Sequence, residues 1–368
     1  MKVTGIAVHQ LDMPVVGGGF EQSGGRVWRT LDTTIVRLQT DTGLVGWGET
    51  CPFGSNYLNA SPRTARAGLL ELAPELLGCD PREIGSLRLA MDRALYGHPH
   101  VKTAYDMAAW DLLGKASGMP VFRLMGGRLT ADLAPHTAFL KLDVSDVTQE
   151  LVRGFKARGC NRFEFKASGD PGTDIAMIRL IGAYLSPGDV IKIDVNQGWR
   201  VDQAIAVARE LDGLPVLFEE PCATYDECLA FKRSTGRPMS LDECILGVRD
   251  LLRAVEDQAI DTLNLKIGRV GGLTPARRLR DLAADLGIPM YIQDTAGGDI
   301  CAAATAHLAH STPPGVFISA WDCASLVTVE TATGLQRDPS FLMRAPDAPG
   351  LGVEPIPEVL GEPVAEFS

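Results

Sequence analysis

The stretch Val190-Ile191-Lys192-Ile193-Asp194-Val195-Asn196 decides the fold, together with the two that follow it at regular distance. These are Val216-Leu217-Phe218-Glu219-Glu220-Pro221 and Met239-Ser240-Leu241-Asp242-Glu243. Each is a short apolar run that ends on an acid. Outward on both sides the texture repeats: residues 163–165 run into Lys166, 262–265 into Lys266, 290–292 towards Asp294 and 317–319 towards Asp322. Helical stretches at 202–211, 251–259 and 275–286 fill gaps between them. Short apolar strands alternating with helices imply parallel strands joined by crossover helices. The ionisable strand-end residues recur at separations of 28, 25, 23, 24, 28 and 28 residues, from Lys166 through to Asp322. Each separation is one strand–helix unit, so closure into a barrel brings all seven to one mouth, where such folds build active sites.

The N-terminal part reads differently. Residues 3–11 and 32–38 are strands, and Asp41-Thr42-Gly43 turns the chain into the hairpin partner Leu44–Glu49. Between them, Gly17-Gly18-Gly19-Phe20 is expected to be a mobile loop. Residues 62–125 carry helical Leu/Ala periodicity, with a last helix through Met107, Trp110 and Asp111 to a stop at Gly118-Met119-Pro120.

Of 368 residues, 35 are Lys or Arg and 46 are Asp or Glu, a net charge of −11. That balance disfavours nucleic-acid and membrane-surface partners, which call for basic patches. No apolar run approaches the length of a membrane span. His9, Gln10 and Asp12 interrupt the apolar core that a leader at the start would need. Eight cysteines without a CxxC pair read as buried thiols in a reducing compartment, and a cytoplasmic location is expected.

Asp194, Glu219 and Asp242, on consecutive strands, offer three carboxylate oxygens to one divalent cation. An all-oxygen set without His or Cys favours Mg²⁺. Lys166 and Lys266 flank the trio from strands on opposite sides of it. A lysine near other cations and a metal is expected to have a lowered pKa and to serve as a base. Such a site removes a proton α to a carboxylate.

The residues that carry these roles resemble the muconate-lactonising-enzyme subgroup of the enolase superfamily. Ala109-Trp110-Asp111-Leu112-Leu113-Gly114-Lys115, Gly118-Met119-Pro120-Val121 and Leu124-Met125-Gly126-Gly127 match the end of that family's capping domain. Ile193-Asp194-Val195-Asn196, Phe218-Glu219-Glu220-Pro221 and Leu241-Asp242-Glu243 match its metal-bearing strands, and Lys266-Ile267 with Gly271-Gly272 its fifth-strand lysine. The resemblance implies a (β/α)₇β modified TIM barrel over 129–334 under an α+β capping domain. That domain spans 1–128 and is completed by about 335–368. It also implies one Mg²⁺ per site, Lys166 and Lys266 as catalytic lysines, Asn196 and Glu243 in support, and a homo-oligomer.

One motif departs from the pattern. The subgroup carries Lys-x-Lys on the second strand, and here it is Glu164-Phe165-Lys166. Alternation puts Glu164 on the same face as Lys166, where its charge favours the protonated lysine. An absence also counts: the histidines at 9, 98, 100, 136, 307 and 310 include none at a sixth or seventh strand end. A His–Asp dyad of the mandelate-racemase kind is therefore not expected; His136, His307 and His310 read as structural.

The substrate-facing loops are expected at 17–20 and 51–57, opposite Asp294-Thr295-Ala296-Gly297-Gly298-Asp299 and Ala320-Trp321-Asp322. Tyr57 and Trp321 suit cation–π contacts, with Asp294 and Thr295 beside them. This resembles the branch acting on hydroxyprolines and proline betaines, and implies a small carboxylate substrate with a cationic nitrogen. The expected reaction is dehydration of cis-3-hydroxy-L-proline to 1-pyrroline-2-carboxylate, with competing 2-epimerisation. The alternatives are a 2-epimerase of proline betaine or 4-hydroxyproline betaine, a dipeptide epimerase or other muconate-lactonising-like enzyme, and a catalytically silent binding barrel.

Overall fold

Two glycines explain how the N-terminal sheet meets its helix. In the computed structural model, strand β1 (Val3–Pro14) pairs antiparallel with β4 (Thr30–Thr40), which pairs with β5 (Val45–Thr50). Between β1 and β4 lies a small hairpin of β2 (Phe20–Gln22) and β3 (Arg26–Trp28). Helices α1 (Pro62–Leu76), α2 (Ile84–Ala94) and α3 (Pro99–Ser117) follow. A β-carbon at Gly46 or Gly48 would strike the backbone of Ala108 or Ala104, so only glycine lets α3 lie this close to β5. Almost every residue of α3 from His100 to Leu112 is buried, which makes it the spine of this domain. The final strand, Ala365–Phe367, returns to pair with β1.

The glycine run at 17–19 is more structured than expected. Val16–Gly18 forms a short 3₁₀ turn, with Gly17 and Gly18 at positive φ, and Phe20 already pairs with Trp28. The reason is burial: the Phe20 ring stacks on Phe53 with centroids 5.4 Å apart.

The structure describes residues 1–133, 138–140 (backbone only), 147–337 and 343–368. His136 lies outside them. Eight parallel strands follow in sequential order: β6 (Ala138–Leu140), β7 (Arg162–Lys166), β8 (Val190–Asp194), β9 (Val216–Glu219), β10 (Met239–Leu241), β11 (Thr262–Lys266), β12 (Met290–Gln293) and β13 (Phe317–Ala320). The seven read from the sequence are all present; β6 is the one added. The Nζ of Lys192 on β8 sits 4.2 Å from the ring centroid of Tyr291 on β12. Strands so far apart along the sheet meet only because it curls into a barrel.

Register then fixes the layers of that barrel. Lys166 pairs with Asp194 and Asp194 with Glu219, while one pleat lower Glu164 pairs with Lys192. Asn264 and Tyr291 pair alongside one another on β11 and β12. Barrel interiors are usually filled by branched apolar side chains. Here the layer under the rim is polar.

Candidate active site

Lys166 and Lys266 end β7 and β11, four strands apart in an eight-stranded barrel, and so face each other across its mouth. The ammonium of Lys166 pairs with Asp194 and lies 3.1 Å from Glu164. That of Lys266 donates to Asp242 at 2.7 Å and approaches the Tyr57 oxygen at 3.4 Å. Burial alone would push both lysines down. The opposing charges win: Asp194 and Glu164 at Lys166, and Tyr57 and Glu243 at Lys266, hold both above the usual range. The expected lowering is therefore absent from this arrangement, because each lysine rests among carboxylates rather than cations.

The acids fall into two groups. Glu164, Asp194 and Glu219 are buried and offer one oxygen each within 4.8 Å of one another. Burial, then the nearby Asp194 charge, pushes Glu219 up to about 7. Its oxygens are held by Lys192 at 2.5 Å and by the Asn264 amide at 2.5 Å. Asp242, expected as the third donor, is engaged by Lys266 and by Arg269. Its backbone N–H donates to Glu220 at 2.9 Å.

The loops that carry these groups are bent hard. Asn196, Gln197 and Glu220 have φ of 45°, 65° and 36°, and non-glycine residues with positive φ cluster where structure is shaped for function. The bend lets the Asn196 N–H donate to Asp194 at 2.9 Å while its amide donates to Glu243 at 3.1 Å. Tyr57 reaches down from the N-terminal domain and donates its hydroxyl to Glu243 at 2.8 Å, and Arg269 donates to the same phenol oxygen at 3.1 Å. The Tyr57 ring stands edge-on to Phe53. A cavity of about 220 Å³ opens beside this knot, lined by Tyr57, His100, Gln197, Glu243 and Arg269 among others.

Asp294, Thr295 and Trp321 take other surroundings. One Asp294 oxygen accepts from the backbone N–H of Gly268 and of Thr295, at 2.9 and 2.6 Å. Burial pushes its carboxyl up to about 7 against those bonds. Trp321 is 7% exposed and belongs to the main core. Asp322, the last of the strand-end series, turns away to Arg337. His307 accepts from the Phe122 N–H at 3.2 Å, stacks on that ring, and bonds the Leu351 carbonyl; His310 bonds the Thr130 carbonyl at 2.7 Å. Both are structural, as read.

Sequence reasoning missed Lys192, Arg269, Asn264 and Tyr291. Lys192 and Asn264 had a signal, since each precedes a rim residue by two and so shares its inward face. Arg269 lies in a one-turn helix, Ile267–Val270, that short periodicity does not mark.

Comparison with known proteins agrees with this architecture. Residues 27–126 match the family model described as mandelate racemase / muconate lactonizing enzyme, N-terminal domain, and residues 146–359 match enolase C-terminal domain-like. The chain belongs to this enolase-superfamily family. It is 43% identical over 368 residues, the whole of both chains, to cis-3-hydroxy-L-proline dehydratase of Roseibium aggregatum. It is 27% identical to N-succinyl-L-Arg/Lys racemase of Bacillus cereus, over 96% of this chain and 95% of that one. A mandelate racemase/muconate lactonizing enzyme structure from Roseovarius nubinhibens superposes with a TM-score of 0.95 at 38% identity, covering 100% of this chain and 98% of that one. Another from that organism, complexed with magnesium, gives 0.93 at 36% identity with full coverage of both chains.

Proposed function

We propose that the protein is a Mg²⁺-dependent dehydratase that converts cis-3-hydroxy-L-proline to 1-pyrroline-2-carboxylate and water. The observation that carries this reading is the opposed pair of lysines over a buried carboxylate group. The full-length likeness to the Roseibium dehydratase supports the choice of substrate. All-oxygen donors fit Mg²⁺, and Asp194, Glu219 and Asp242 at the rim are the residues to hold it. Bound there, the cation supplies positive charge for the substrate carboxylate.

The residues divide the work by face. In the cis-3 isomer the hydroxyl lies opposite the α-hydrogen, so loss of water is an anti elimination. Lys166 takes the α-proton once it has given up the proton that Asp194 and Glu164 hold on it in this arrangement; Lys266, as ammonium, gives a proton to the departing hydroxyl. The C–O bond breaks as the C2–C3 double bond forms, and the enamine tautomerises to the imine. A proton returned to C2 by Lys266 instead gives the 2-epimer, so epimerisation competes. Substrate contacts by Tyr57, Trp321, Asp294 and Thr295 are assigned from the family resemblance, while Asn196 and Glu243 brace Asp194 and Tyr57. The eight free cysteines suit a reducing, cytoplasmic setting.

The test is an NMR assay of the Mg²⁺-loaded protein against cis- and trans-3-hydroxy-L-proline, L-proline and proline betaine. The cyclic imine should form from the cis-3 isomer alone. Epimerisation of the betaine without imine from any substrate would make the protein an epimerase.

A further inference from the structure

Lys192 is a fully buried cation one layer below the rim. Its ammonium lies 2.8 Å from one Glu164 oxygen and 2.5 Å from Glu219, over the Tyr291 ring. The other Glu164 oxygen lies 3.1 Å from Lys166. Glu164 is therefore gripped from below by one lysine and grips another above it. Among the described residues two carboxylates pair with Lys166: Asp194 at the rim and Glu164 one pleat lower. A cation that engages Asp194 competes with Lys166 for it, whereas Glu164, held by Lys192 from below, stays in place as an acceptor.

We propose that Lys192 and Glu164 form a buried positioning pair that seats the Lys166 ammonium, with Lys192 fixing Glu164 and Glu164 fixing Lys166. The pair carries no net charge, so it orients the lysine without adding a charge to the rim. Lys266 has its own partners, Asp242 and Tyr57, and owes nothing to this pair. The consequence is one-sided: disrupting the pair harms chemistry on the Lys166 face and spares the Lys266 face. This rests on the reading of Lys166 as the base for the L-configured substrate.

The experiment uses the charge-neutral double variant Glu164→Gln/Lys192→Met, with Glu164→Gln alone as a second variant and Lys166→Ala as control. Mg²⁺ affinity is measured by calorimetry on metal-stripped protein. Exchange of the α-proton in D₂O is then followed for L- and D-proline, which report the two faces. In both variants exchange of the L-isomer should fall at least tenfold; in Glu164→Gln, which leaves Lys192 on Glu219, exchange of the D-isomer and the Mg²⁺ dissociation constant should stay within threefold. Equal loss on both faces, or no loss on either, overturns the proposal. So does a Mg²⁺ affinity more than thirtyfold weaker in Glu164→Gln, which would make Glu164 a metal donor. If Lys166→Ala itself keeps exchange of the L-isomer, the assignment of the base has failed, and the control separates that failure from the proposal's own.

Discussion

The hydroxyl of Tyr57 donates to the Glu243 carboxylate at 2.8 Å, and through this bond the N-terminal domain grips the barrel rim beside Lys266. The phenol is buried among charges, and burial, then Glu243, raises its pKa, so it stays a donor at any working pH. Tyr57→Phe keeps the ring and deletes the donor. It should cost about 1 kcal/mol of stability and lower kcat more than it changes KM, measured by melting and steady-state kinetics. Unchanged kcat would confine the hydroxyl to a structural role.

Replacing Glu219 by Gln removes a charge that Lys192 and Asn264 hold in place. Turnover should vanish while the circular dichroism spectrum is kept. Ligand binding to the folded state alone raises stability by about 2.7 kcal/mol at a hundred times Kd, so wild-type protein stripped of metal should melt higher on adding Mg²⁺. The variant should show no such rise. A full rise in the variant removes Glu219 from the metal site.

Trp321→Ala tests the substrate's cation. A cation–π contact is made alike in ground and transition states, so its loss should raise KM with little change in kcat, by about 0.5–2 kcal/mol. Loss of stability with KM unchanged would mark the ring, buried as it is, as packing alone.

Asp294 gives a pH dependence with a definite sign. Burial lifts its carboxyl to about 7 in the fold, against an ordinary value near 4 when unfolded. Between those values the folded state holds the extra proton, so this residue's contribution to stability falls as pH rises from about 4 to about 7. Asp294→Asn keeps the acceptor for Gly268 and Thr295 and cannot ionise. Its melting temperature relative to wild type should be higher at pH 8 than at pH 5. A constant difference across that range contradicts the assignment.

The fold was legible because seven of the eight barrel strands run into an ionisable residue, and the spacing of those residues is the spacing of the units. Both lysines and the acids on β8, β9 and after β10 were found that way. The lower layer was not, because a lysine inside an apolar strand, as in Val190–Asp194, reads as a surface residue until register turns it inward. Phe20 was misjudged for the opposite reason: three preceding glycines obscured an aromatic that packs on Phe53. Asp322 fits the series in spacing, yet Arg337, fifteen residues on, draws it out of the site.

The central claim is that Lys166 and Lys266 act from opposite faces, and α-proton exchange in D₂O by single-lysine variants tests it most directly. With cis-3-hydroxy-L-proline, Lys166→Ala should lose both exchange and dehydration. Lys266→Ala should still exchange the α-proton while forming no imine. Imine formed at the wild-type rate by Lys266→Ala would mean that one lysine does both jobs, and the two-face account would be wrong.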